Sequence, residues 1–167
     1  FMGKVFILPS DNQELEVSFT ANRSDDILYA STPMDAIRDD SDIFNVNYSI
    51  LELGKYSDAL EFQVYQSSVE HPMSTFYRNS SGTNSANERI SYVETEAQGF
   101  KVINETYLDN GTELKYGIDF NTRNWDGEYE GFGMASGITG IANIPDAETK
   151  NQALFLEANT GSETTQY

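Results

Sequence analysis

The sequence alternates apolar and polar residues in run after run, and this period of two constrains the fold more than any other feature. In ELEVSFTAN (14–22), Leu15, Val17 and Phe19 fall on one side of an extended chain and the polar residues on the other. The alternation recurs in IFNVNYSIL, ALEFQVYQ and ELKYGIDFN, and more weakly in GKVFILP, GFKVINETYL and NQALFLEAN. A helical period is missing nearly everywhere, so we predict an all-β chain of six to seven antiparallel strands.

The connections between these runs alternate in length. Short turns are predicted at PSDNQ, ELGKYSD and LDNGTE, and the last contains Asn110-Gly111, a strong hairpin signal. Polar stretches of about 18, 30 and 30 residues separate the other runs, at 24–42, 67–96 and 122–152. An up-and-down meander with this order has all its long connections at one end, and TGSE is predicted to add a short turn after the last run.

Two folds fit strands of this kind. A membrane β-barrel carries its apolar face outside and its polar face inside, whereas a soluble β-sandwich buries the apolar face. Compact soluble domains rarely contain several long structureless loops, but outer-membrane barrels combine short turns at one end with long loops at the other. We therefore predict an antiparallel up-and-down meander that forms part of a transmembrane β-barrel. The alternative is a secreted or periplasmic β-sandwich that binds a carbohydrate or a protein.

A membrane barrel usually needs at least about eight strands. Six or seven strands do not close one, so we expect residues 1–167 to be a partial barrel domain, with the remaining strands absent from these residues. No apolar run approaches the roughly 18 residues of a membrane-spanning helix, but a barrel strand needs only about 9–11.

Charge and composition exclude several functions. The chain has 27 acidic and 10 basic residues, a net charge of −17, and such a field repels nucleic acid, so no nucleic-acid partner is expected. Cysteine is absent, which excludes disulfides and thiolate metal sites in these residues. One histidine and no nucleophile elbow argue against a Ser-His-Asp site, and the surplus of carboxylates makes any pair uninformative about glycoside hydrolysis; we predict that the chain is not an enzyme.

The one histidine lies two residues before a methionine, in VEHPMS (69–74). A thioether favours Cu(I), and an imidazole accepts either copper state. On an extended segment this spacing places His71 and Met73 on the same side, and Pro72 between them stiffens the backbone. The alternative is an ordinary loop histidine and a methionine that fills apolar space. Met34 and Met134, in other long stretches, are either auxiliary soft ligands or ordinary loop residues.

Two acidic runs and four aromatic residues allow weaker predictions. RDDSD (38–42) and NWDGEYE (124–130) gather carboxylates without the spacing of a calcium loop, so we predict solvated acidic loops. Four aromatic residues predicted near strand ends fit either an interfacial girdle or ordinary β propensity, namely Tyr48, Tyr65, Tyr107 and Phe120.

The segment LEFQVYQSSVEHPMSTFYRN resembles the barrel of TonB-dependent outer-membrane receptors, in particular their copper-receptor group. In that group a strand is followed by Val/Asp-His-x-Met, then an aromatic residue and an arginine. The matching positions here are Val69, His71, Met73, Phe76 or Tyr77, and Arg78. LEVSFTANRSDDILYASTPMDA upstream, and YGIDFNTRNWDGEY and IPDAETKNQALFLEA downstream, are similar to segments of the same barrels, so the resemblance covers roughly residues 10–160.

The resemblance implies a barrel of about 22 strands, closed by a plug domain that lies outside these residues. It implies a place in the bacterial outer membrane, in contact with its lipid, and energy supplied by the TonB complex through the plug. The implied activity is import of a metal ion, copper, with His71 and Met73 as metal ligands of the barrel that combine with soft ligands of the plug.

Overall fold

The computed structural model describes residues 1–77 and 88–160, and these residues form one antiparallel sheet. Seven long strands and one short one follow each other along the chain: β1 (Met2–Ser10), β2 (Gln13–Ile27), β3 (Asp35–Gly54), β4 (Ser57–Glu70), β5 (Met73–Ser74), β6 (Arg89–Tyr107), β7 (Thr112–Gly131) and β8 (Ala142–Thr160). The order in the sheet is β1-β2-β3-β4-β6-β7-β8, and β5 lies between β3 and β6 in line with β4. The predicted antiparallel meander is confirmed, including the weak strand GKVFILP, which is β1.

Short connections lie at one end of the sheet and longer ones at the other, as predicted. Residues 11–12, 55–56 and 108–111 join strands at the short-turn end. At Asn110-Gly111 the glycine has a φ of 78°, and the asparagine side chain accepts a hydrogen bond from the amide of Thr112. Residues 28–34 and 132–141, the latter with a 3-10 helix over Gly133–Ile138, connect strands at the opposite end, the long-loop end.

The long connections are shorter than the sequence predicts, and the two acidic runs are not loops. Residues 38–42 belong to β3, and residues 124–130 belong to β7. Strands are held by backbone hydrogen bonds, so they continue where the apolar alternation stops, provided that charged side chains find partners across the ladder. Arg23 and Asp42 meet at 2.7 Å, and Arg38 and Glu70 at 2.5 Å. In the second long stretch, β4 extends to Glu70 and β6 begins at Arg89. Arg78 and most of TGSE lie outside the described residues.

One face of the sheet is apolar across every long strand. Two register rows of apolar side chains cross the sheet: Val5, Val17, Val46, Val64, Phe100 and Phe120; and Ile7, Leu15, Tyr48, Phe62, Val102, Ile118 and Leu154. We call these rows, together with the apolar residues that flank them on the same face (Phe19, Phe44, Ile50, Leu60, Tyr116 and Leu156), the apolar belt. Its side chains are largely uncovered: Val64 is 53% exposed and Leu154 is 85% exposed.

The opposite face is polar at the same height. One of its register rows contains Ser18, Asn45, Tyr65, Gly99, Asn121 and Asn151, and the next contains Glu16, Asn47, Gln63, Lys101, Asp119 and Ala153. Within the described residues no second sheet covers either face, and Ala36, Pro72 and Ile90 are the only buried residues with an apolar side chain. This part of the chain is therefore a single layer, which is not the two-layer arrangement of the sandwich alternative.

Of the four aromatic residues predicted to lie near strand ends, only one lies at an end. Tyr107 is the last residue of β6, but Tyr48, Tyr65 and Phe120 lie well inside their strands, and Tyr65 is on the polar face. The apolar alternation ends before the strands do, so a position near the end of an alternating run is not a strand end. No helix in residues 1–77 and 88–160 has the length and apolar character needed to cross a membrane.

Candidate metal site

His71 lies where β4 ends and β5 begins, at the long-loop end of the sheet. Its backbone amide donates to the carbonyl oxygen of Val93 in β6 at 2.9 Å, and the carbonyl oxygen of Pro72 accepts from the amide of Ile37 in β3 at 2.9 Å. Proline has no amide hydrogen to donate, and the ladder is interrupted over His71 and Pro72, between β4 and β5. The histidine is thus held on a nearly continuous strand and not on a free loop.

The neighbouring strand β3 contains one extra residue beside this interruption. Against β6 the pairing is unshifted, since Glu70 pairs with Glu94 and Met73 with Ser91. Against β3 it shifts by one, because Glu70 pairs with Asp40 but Met73 pairs with Ala36. Three residue steps on one strand therefore face four on the other, which is a β-bulge in β3, a feature that often redirects side chains.

Asp39 lies in this bulged stretch and faces the histidine. The Nδ1 atom of His71 is 3.6 Å from Oδ2 of Asp39, and the two side chains are 26% and 33% exposed. Strand register places both residues on the polar face. Asp39 is an even number of positions from Asn45, and His71 is an even number of positions from Tyr65, and both of these residues lie on that face. The pair is therefore half-buried and open to the water-facing side of the sheet.

The connection 28–34 folds back against the histidine ring. Tyr29 contacts the His71 ring edge-on, with ring centroids 6.1 Å apart. The backbone amide of Tyr29 donates to the Asp35 carboxylate at 2.8 Å, and Asp35, the first residue of β3, is only 1% exposed. A buried carboxylate thus fixes the aromatic residue that covers one side of the imidazole.

Met73 begins β5, two residues after the histidine. Asp35 pairs with Ser74, so Met34 comes within two register positions of Met73, and the 84% exposed Met134 lies in the 3-10 helix at the same end. In the described ranges no three His, Cys, Asp or Glu residues come close enough to hold a metal ion by themselves. His71 and Met73, the predicted ligand pair, thus need further donors to complete a metal site.

The other residues of the resembling segment pack the same corner. Phe76 contacts Phe132, with ring centroids 5.5 Å apart, and Tyr77 donates a hydrogen bond to Asp26 at 2.6 Å. This hydrogen bond raises the pKa of Tyr77 above its usual value. Val69 lies in β4, and Arg78 is outside the described residues. These contacts join the segment after β5 to the ends of β2 and β7.

The sequence singles out His71 and Met73, whose role as ligands stays a prediction, but not Asp39 and Tyr29, which the structure places beside the histidine. Asp39 was assigned to a solvated acidic loop, and no spacing in the sequence links it to a histidine 32 positions away. Only the register of β3 against β4, together with the bulge, brings the two residues together. Tyr29 carries no signal beyond its place in a polar connection.

The comparisons with known proteins identify the fold. No protein-family profile matches the chain, and no curated protein matches it significantly. Among solved structures, copper transporter OprC matches 94% of this chain with a TM-score of 0.76 and 16% sequence identity. The chain spans 25% of the length of that protein. This likeness, together with the seven-strand meander, confirms the predicted fold: the chain is a segment of an all-β barrel.

Proposed function

We propose that this chain is part of the wall of an outer-membrane receptor that imports a metal ion, with copper as the leading substrate. In this proposal His71 and Met73 are ligands of the barrel, and a plug domain outside these residues links the receptor to the TonB complex. The protein binds and transports its substrate and does not transform it chemically.

The observation that carries the proposal is the apolar belt on a single-layered sheet. On β3 the belt extends from Phe44 to Ile50, roughly 20 Å at about 3.4 Å per residue, close to the apolar band of about 25 Å on outer-membrane barrels. The sheet continues beyond the belt toward the long-loop end with polar residues on the same face, such as Asp42, Ser68 and Glu96. Lipid is the environment that suits an uncovered apolar band of this height.

Two observations support copper as the substrate: the chemistry of the candidate ligands, and the likeness to a copper transporter. A histidine and a methionine two residues apart offer imidazole and thioether, the pair of neutral donors that suits copper. The net charge of −17 attracts cations to the chain. A solved structure that shares this fold is that of a copper transporter, and His71 lies on the polar face, the face that would line the lumen.

The proposal is tested with the full-length protein that contains this chain, expressed with its native export signal. We expect it in the outer-membrane fraction, extractable only with detergent, and with stoichiometric copper by elemental analysis. The double variant His71→Ala/Met73→Ala should reach the same fraction with its copper abolished, because both barrel ligands are gone.

Met2→Ala is the matched control, since it removes an exposed thioether on β1 that is not a candidate ligand. It should keep its copper. Recovery of the protein in the soluble fraction without detergent would contradict the membrane placement. Full copper content in the double variant would contradict the ligand assignment and leave the barrel in place.

A further inference from the structure

We propose that Asp39 is a third ligand of the metal site and that its carboxylate extends binding from Cu(I) to Cu(II). This inference rests on the proposed function, since it adds a ligand to the site of His71 and Met73. The juxtaposition that carries it is the Asp39 carboxylate on the bulged strand β3 facing Nδ1 of His71.

The distance between the two side chains fits a shared metal better than a hydrogen bond. At 3.6 Å, Nδ1 of His71 and Oδ2 of Asp39 are too far apart for a hydrogen bond, which ends near 3.2 Å. Two donor atoms with metal bonds of roughly 2.0–2.2 Å lie about 3.3–3.6 Å apart at the tetrahedral angle and about 2.8–3.1 Å apart at the right angle of a tetragonal Cu(II) site. The observed separation thus matches the tetrahedral value, and binding of Cu(II) requires the two atoms to approach by about 0.5 Å.

The backbone around Asp39 is fixed, but its carboxylate has no basic partner other than the histidine. Asp39 pairs with Ser24 of β2, and its neighbours on both sides also pair with that strand. Among the described residues no lysine or arginine lies within 4.0 Å of the Asp39 carboxylate, whereas the next residue, Asp40, meets Arg38 at 3.7 Å. A carboxylate without a countercharge, held beside an imidazole, is ready to accept a cation.

The carboxylate changes which copper state the site prefers. Thioether sulfur selects Cu(I), whereas nitrogen and oxygen donors suit Cu(II). His71 binds both Cu(I) and Cu(II), Met73 binds mainly Cu(I), and Asp39 binds mainly Cu(II). Loss of Asp39 should thus weaken Cu(II) selectively, which a purely structural role for the residue does not predict.

The test measures Cu(I) and Cu(II) affinities of the full-length receptor in detergent by competition with chromophoric chelators specific for each ion. Removing an outer-shell partner alone typically lowers metal affinity about 10–100-fold. We accordingly expect Asp39→Asn to lower Cu(II) affinity at least about tenfold and Cu(I) affinity less than about twofold. Asp40→Asn, one residue along β3 and on the opposite face, is the matched control and should leave both affinities unchanged.

The electron paramagnetic resonance spectrum of bound Cu(II) gives a second measurement, and Asp39→Asn should alter it. Unchanged Cu(II) affinity and spectrum in Asp39→Asn, with copper still lost in the His71/Met73 double variant, overturn this inference and leave the proposed function standing. Equal losses for Cu(I) and Cu(II) overturn it as well, because they show that Asp39 only positions the histidine. A wild-type receptor that binds neither ion overturns both proposals.

Discussion

Two glycines on the polar face of the sheet lie under aromatic rings. A Cβ atom at Gly99 would lie 2.8 Å from the Tyr65 ring, and one at Gly117 would lie 2.8 Å from the Phe155 ring. An aromatic ring laid over a glycine covers the exposed backbone of a strand and compensates for its missing side chain. At these positions the glycine is required by the neighbouring ring and by an even closer carbonyl oxygen of the adjacent strand, and not by its own backbone angles.

We predict that Gly99→Ala destabilises the barrel by about 1–3 kcal/mol, the usual cost of overfilling a packed site. The new methyl group would meet both the Tyr65 ring and, at 2.7 Å, the carbonyl oxygen of Phe120, so the ring has to leave its place. The free energy of unfolding of the full-length protein in lipid vesicles, measured by urea titration, checks this. Gly137→Ala, where no atom lies within 4 Å of the new methyl group, is the control. Equal stability of both variants would show that Tyr65 is not packed on Gly99.

At the scale of single residues, the sequence reveals rare residue types but not contacts between distant positions. His71 and Met73 stood out because one is the only histidine and the other lies two positions away. Asp39 did not, because it is one of 27 acidic residues and its contact with His71 depends on how β3 is aligned with the chain that follows β4. A one-residue bulge decides that, and bulges have no reliable sequence signal in a polar strand.

Strand ends, at the scale of elements, are held by polar side chains that cross the ladder. Beyond the apolar belt Arg23 binds both carboxylate oxygens of Asp42, which raises the pKa of the arginine, and Tyr92 of β6 donates to Glu130 of β7 at 3.0 Å. Asn143 of β8 also donates to the hydroxyl of Ser91, two strands away. Such contacts replace apolar packing where both faces of the sheet meet water.

This explains why sequence predicted the middle of each strand and not its ends. Alternation is visible only where one face is apolar, as in Phe44 to Ile50 of β3. Residues 35–42 of the same strand, DAIRDDSD, have polar groups on both faces and resemble a loop in composition. Their strand conformation follows from pairing with β2, which no single-sequence pattern reveals.

We predict that Tyr92→Phe lowers stability by about 1 kcal/mol at pH 8, the typical net value of one hydrogen bond. Partial burial, followed by the hydrogen bond to Glu130, raises the pKa of Tyr92 above 10.0. A raised pKa in the folded state means that this contribution is complete below the unfolded pKa of about 10 and is lost as pH rises through the folded value.

The difference in unfolding free energy between wild type and Tyr92→Phe should therefore shrink from pH 8 to pH 11.5. Tyr107→Phe, at the short-turn end with a 60% exposed ring, is the control and should match the wild type at both pH values. If the difference in unfolding free energy stays constant or grows with pH, the stabilisation by Tyr92 does not come from a hydrogen bond that its hydroxyl donates.

For the whole molecule, the alternation of short and long connections was the most informative pattern. It depends only on counting residues between runs, and it correctly placed residues 11–12, 55–56 and 108–111 at one end of the sheet. The predicted lengths of the long connections were wrong, but the prediction that they lie at one end of the sheet was correct. Extending a strand shortens a connection and does not move it to the other end of the sheet. The order and direction of the strands were thus more predictable than the residues at which each strand begins and ends.

The belt makes a prediction that separates lipid from water as its environment. Leu154 on β8 lies in the belt beside Ile118, whereas Ala153, at the same height, lies on the polar face beside Asp119. An arginine at the bilayer midplane of an outer-membrane barrel costs about 2–4 kcal/mol. We thus expect Leu154→Arg to lose about that much stability in lipid vesicles, and Ala153→Arg to lose little, because its guanidinium meets water and the Asp119 carboxylate.

Both variants should be compared by urea titration of the full-length protein in vesicles, with folding followed by the mobility shift of unheated samples in gels. Leu154 is 85% exposed, so in a protein surrounded by water its replacement by arginine would bury no charge and cost almost nothing. Equal stability of the two variants would therefore place the belt in water. A loss confined to Leu154→Arg requires an apolar medium against this face, because the two substitutions share their strand, their height and their added charge and differ only in the face they occupy.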